Sequence, residues 1–113
     1  MDVLRIGTAL FDTELVSIPD TNHDNGDYAS LRALQGLVGG YIETCAPAGL
    51  RAQGIELLAN EEGLLQGLEP NFNLYPFFYV GQLVAVGIGD EDFVSLTAEQ
   101  ITFIMGWIEG LSL

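Results

Sequence analysis

Lysine is absent from the chain, and three arginines are set against sixteen aspartates and glutamates. Proteins that grip bare nucleic acid or an anionic membrane do so through basic side chains on phosphate groups, so this composition speaks against both as direct partners. Cysteine occurs once, at Cys45, which removes any internal disulfide and any cysteine pair for a zinc site. With a single histidine, His23, in the whole chain, Cys45 reads as a small core residue rather than a thiol activated by a nearby base. Long apolar runs are also missing. The longest, Phe77 to Gly89, is broken by glycines and Gln82 and falls short of the ~20 residues a membrane-spanning helix requires. The opening Met1-Asp2-Val3 lacks the basic segment and apolar run of a secretory signal, so the expected location is cytoplasmic.

Catalytic and cofactor signatures are equally scarce. The glycine pairs Gly39-Gly40 and Gly87-Ile88-Gly89 lack the strand-to-helix fingerprint of a phosphate-binding loop, and no lysine exists to serve one. Asp20, Asn22 and Asp24 have the alternate spacing of a calcium loop. Glycine, however, arrives one place late at Gly26, and Leu31 stands where a bidentate glutamate is required. Glu61-Glu62 has the chemistry of a general acid-base pair, yet adjacent carboxylates between turn formers are read first as exposed turn residues. The sequence therefore points to a protein that is not an enzyme, with no cofactor and no metal.

What is present is apolar residues in quantity, 49% of the chain, which separates it from disordered acidic tails of similar charge. At 113 residues it is expected to fold as one domain, residues 1–113. Its net charge is −13. At one charge per ~1.7 Å of axis that surplus equals the charge on roughly 22 Å of duplex DNA, whereas a domain of this length is about 34 Å across. A decoy for a nucleic-acid-binding protein would thus need its acids gathered on one side. They fall at Asp12 and Glu14, at Asp20, Asp24 and Asp27, from Glu56 to Glu69, from Asp90 to Asp92, and singly elsewhere. That spacing fits a solvated or salt-adapted surface as well as a concentrated face.

Val3-Leu4-Arg5-Ile6 and Glu14 to Ile18 are short aliphatic and β-branched runs that predict an opening hairpin turned at Phe11-Asp12-Thr13. After Pro19 and a polar loop, Asp27 is placed to cap a helix whose apolar positions Leu31, Leu34, Leu37 and Val38 recur at helical spacing, with Gly39-Gly40 ending it. Tyr41 to Cys45 and Gly54 to Ala59 predict two further strands joined by a hairpin loop over residues 46–53. Asn60-Glu61-Glu62-Gly63 has the preferences of a type I turn. Phe77 to Gly87 reads as the central strand, its near-continuous apolarity implying cover on both faces, with Gly81 marking a bulge or close approach. Thr97-Ala98-Glu99-Gln100 fits a capping box, followed by the stripe Ile101, Ile104, Met105, Ile108 and Leu111. Phe103 and Trp107 lie off that stripe, which offers a face to a second subunit. The expectation is an α+β fold, a mostly antiparallel sheet of about five strands with two helices packed on one face.

The run Leu34 to Glu43, then Asn60-Glu61-Glu62-Gly63, Gly67-Leu68, Pro70-Asn71, Gly81 and Ser95-Leu96-Thr97 resembles the family known as domain of unknown function 3846, over residues 28–102. The resemblance implies a small protein of bacteria, cyanobacteria or their phages and plasmids, with no activity attached. It also singles out Asn60, Glu61, Glu62, Gly63 and Asn71 as binding-site candidates. The functional expectation is an acidic interaction protein that engages a basic host protein, such as a nuclease or defence factor. The alternative is a protein that sequesters a nucleotide through backbone amides and Arg5, Arg32 or Arg51.

Overall fold

A computed structural model describes residues 1–19 and 29–111. The N-terminal aliphatic runs form the expected hairpin: β1 (Asp2–Ile6) pairs antiparallel with β2 (Thr13–Ser17), Leu4 opposite Leu15 and Ile6 opposite Thr13. The first long helix, α1 (Ala29–Val38), ends at Gly39, whose φ of 83° suits the left-handed position that closes a helix. The amides of Gly39 and Gly40 both donate to the Gln35 carbonyl. The aspartate loop, His23 and the expected Asp27 cap lie outside the described residues.

β3 (Ile42–Thr44) follows, and then the four-residue helix α2 (Ala48–Arg51), which occupies the segment expected to be a plain hairpin loop. Pro47 at its N-cap sets an extended approach to the turn, and small residues let the chain close it tightly. β4 (Ile55–Asn60) is buried at every position. The aromatic segment expected to open the central strand is not strand at all. A 3₁₀ turn, Phe72–Leu74, and a cis Tyr75–Pro76 bond precede it, and Gly81 has a φ of 76°, so β5 (Leu83–Ile88) begins only after that left-handed residue. β6 (Phe93–Val94) and the C-terminal helix α3 (Ala98–Leu111) complete the chain.

The sheet runs β2-β1-β5-β4-β3, with β6 also pairing β5, and every pairing is antiparallel. The class and the central place of the Leu83–Ile88 strand are as expected, with six strands formed. The helices, however, take opposite faces rather than one. Along β5, Leu83 and Ala85 join Leu4, Ile6, Ile55 and Leu57 beneath Leu50 of α2 and Ile104 and Ile108 of α3. Val84 and Val86 join Val3 and Leu58 beneath Leu34 and Val38 of α1. Successive strand side chains point to opposite faces, so a strand apolar at every position needs a cover on each side. Burying a side chain such as Ile104 stabilises the fold by about 2–3 kcal/mol as an upper estimate.

The capping box of α3 is formed as the sequence indicated. Gln100 N donates to Thr97 Oγ1 at 3.1 Å, and Thr97 N donates to Gln100 Oε1 at 3.0 Å. The Gln100 amide also donates to the Gln53 and Gly54 carbonyls, tying the helix start to the turn before β4.

Two local tests follow from these bonds. Asn71→Leu leaves the Ile6 and Gly81 carbonyls, both normally bonded to the buried Asn71 amide, without that donor. It is expected to lower unfolding free energy by about 2–4 kcal/mol in urea titration. Gln100→Ala removes one half of the capping box and should cost about 1 kcal/mol.

Candidate functional site

Four of the five candidates from the sequence meet at the end of β4. Asn60 is buried, and its side chain is fully occupied: the amide donates to the Val38 carbonyl at 3.3 Å and to Gln66 Oε1 at 3.1 Å, while Oδ1 accepts from Glu62 N at 2.8 Å. This last bond, with Gly63 N donating to the Asn60 carbonyl at 3.1 Å, closes the turn expected from the Asn-Glu-Glu-Gly order. Asn60 thus shapes the site through bonds made inside the protein. Glu61 and Glu62 are exposed, and the backbone bond from Glu61 N to the Tyr41 carbonyl fixes where they project.

Asn71 stands apart from this group. It lies 3% exposed, crossing between β1 and Gly81, with Oδ1 accepting from Asn73 N. Its role is to hold the 3₁₀ turn against the sheet. At Gly81 the positive φ and the approach of Leu68, whose Cδ1 would lie 2.7 Å from an added Cβ, together require glycine.

The turn at 60–63 forms one wall of a groove of about 320 Å³. Glu43 from the edge strand β3 faces the same groove as Glu61 and Glu62, and Leu64, Leu65, Phe78 and Tyr79 supply its apolar surface. Phe78 is 76% exposed. Among the described residues no basic side chain lines the groove. Sequence reasoning missed Glu43 and Phe78 because they come from separate segments, brought to the turn only by the β3–β4 pairing, in which Glu43 faces Ala59, and by the Pro70–Val80 bridge.

Cys45 and Tyr79, beside this groove, are held in their neutral forms. Burial, with Glu43 and Glu56 adding repulsion, pushes the Cys45 thiol from its ordinary 9.0 up to about 12. Its Sγ donates to the Leu57 carbonyl at 3.6 Å. Burial likewise raises the Tyr79 phenol to about 12, and its hydroxyl donates to the Cys45 carbonyl at 2.6 Å. Neither is a nucleophile at neutral pH. What the groove offers is negative charge beside apolar and aromatic surface, the arrangement that holds a cation with a hydrocarbon stem.

Arg5 and Arg51 are committed elsewhere. Arg5 pairs with Asp12 at 2.7 Å and Glu14 at 3.2 Å and donates to Gln82 at 3.0 Å. Arg51 pairs with Glu56, a buried carboxylate that also accepts from the amides of Ala46 and Leu57. Among the described residues no cluster of three or more His, Cys, Asp or Glu is arranged to hold a metal ion, and no helix is long and apolar enough to cross a membrane.

The raised thiol and phenol make stability depend on alkaline pH. Both groups bind their protons more tightly folded than unfolded, so their contribution is complete below pH 9 and is lost as pH rises from about 9 towards 12. Urea midpoints should fall across that window and the fall should be smaller in Cys45→Ala. The native thiol should also resist alkylation at pH 8 and react once the protein is unfolded.

The family model described as domain of unknown function 3846 matches residues 3–109, from the first strand to the last turn of α3. No curated protein and no solved structure matches the chain. A match over nearly the whole length means that this chain belongs to the domain of unknown function 3846 family.

Proposed function

We propose that this protein is a non-enzymatic interaction module, of the phage or mobile-element kind, that binds a basic segment of a host protein through the groove beside the 60–63 turn. The observation that carries this reading is the convergence of Glu43, Glu61 and Glu62 on one groove whose remaining surface is mostly apolar and aromatic. A lysine or arginine lays its aliphatic stem along such a surface while its charge meets the carboxylates. A nuclease or defence factor that ordinarily binds nucleic acid would present basic segments of this kind, and occupying them would keep the nucleic acid out.

The wider surface supports the same reading. Asp2, Glu69, Asp90, Glu91 and Glu99 are exposed, while Arg5 and Arg51 are engaged by carboxylates of the protein itself. Long-range attraction of a basic partner is therefore opposed by little positive charge, and association is accelerated. The engaged arginines also weigh against the alternative of a nucleotide-sequestering protein, since a phosphate would have to compete with those ion pairs.

The test is affinity capture from host lysate followed by binding kinetics with the recovered partner. Raising salt from about 0.1 M to about 1 M shortens the screening length from about 10 to about 3 Å, so the association rate should collapse across this range. Replacing Glu43, Glu61 and Glu62 together with glutamine should weaken binding about tenfold, mostly through the association rate. A partner held equally well at high salt and by the triple variant would overturn the proposal.

A further inference from the structure

A second cavity lies on a different part of the molecule, between the β1–β2 turn and α3. Its volume is about 180 Å³. Leu10 and Phe11 from the turn and Met105 and Ile108 from the helix form its apolar walls, and Thr13, Asn73 and Glu109 contribute the polar groups.

The turn wall is fixed in place. Phe11 has a φ of 64°, a conformation that costs energy for any residue but glycine. It is held there because its amide donates to Asn73 Oδ1 at 2.8 Å, while the Asn73 amide donates to the Gly7 and Ala9 carbonyls. Asn73 is only 5% exposed and is engaged at both ends of its side chain. It therefore supports the cavity rather than offering a strong hydrogen bond to an occupant. Phe11, 83% exposed, lines the mouth of the cavity from this fixed backbone position.

Size and charge together define what fits. An apolar cavity of about 150 Å³ accommodates benzene, so this one, open to solvent on one side, has room for a single six-membered ring with a short substituent. Among the described residues the charged side chain on its wall is Glu109, and the protein as a whole carries a charge of −13. A positively charged end is therefore favoured and a carboxylate disfavoured. We propose that this cavity is a binding site for a small protonated amine carrying one apolar ring, the ring between Phe11 and α3 and the ammonium towards Glu109. This site is separate from the acidic groove and does not depend on the role assigned to that groove.

The experiment is a two-dimensional amide NMR titration of the full chain with 2-phenylethylamine and, in parallel, with 3-phenylpropionate, which keeps the ring and the two-carbon arm but reverses the charge. The amine should shift the amides of Leu10, Phe11, Met105 and Glu109 saturably, and the carboxylate should not. Glu109→Gln, a conservative change at an exposed position, should weaken the amine about fivefold, the effect expected of one partly exposed charge pair. Thr13→Trp, which keeps a good strand former in β2 while filling the cavity from its side, should abolish the shifts. The proposal fails if neither probe perturbs these amides, if both do so equally, or if Glu109→Gln leaves the affinity for the amine unchanged.

Discussion

Every carbonyl that ends a strand or helix inside a protein needs a donor, and in this fold side-chain amides meet that need where regular pairing stops. Gln82 donates to the Leu37 carbonyl and Asn60 to that of Val38, so the last turn of α1 is bonded directly to the ends of β5 and β4. Asn71 and Asn73 do the same for the carbonyls at Ile6, Gly7, Ala9 and Gly81, where β1 leaves the sheet. No buried side-chain nitrogen or oxygen among the described residues lacks a partner. The acidic groove depends on the first pair and the apolar cavity on the second. Both sites are therefore built on polar bonds inside the protein, with the acids and exposed aromatics mounted on them.

Much of the secondary structure was readable because the signals were local. The Thr97–Gln100 box, the glycine stop after Val38 and the alternating hairpin strands each rest on contacts within a few residues. The Phe77–Gln82 segment misled because aromatic and β-branched residues suit a strand wherever one can form, and only the left-handed Gly81 and the preceding 3₁₀ turn forbid it. The opposite placement of α1 and α3 was implicit in the unbroken apolarity of β5. Periodicity alone does not say which helix covers which face, since that is decided by the loops that carry the chain across.

The candidate site was readable to a similar depth. Asn60, Glu61, Glu62 and Gly63 are a true structural unit because a turn is encoded by adjacent residues. Asn71 is a residue the fold depends on, its polar atoms bonded to backbone. The partners that turn the 60–63 corner into a groove, Glu43 and Phe78, approach from strands and loops far away in sequence. Nothing in the local pattern of either residue records that meeting.

The two-sided core has a consequence for how the sequence can change. The central strand separates the apolar interior into two compartments, one under α1 and one under α3, with few side chains shared between them. A substitution that loosens one compartment leaves the packing of the other nearly as it was, so changes in the two should combine almost additively. Related chains could therefore redesign the helix beside the amine cavity while the helix anchored to the acidic corner stays constant. The two sites are free to diverge at different rates on one scaffold.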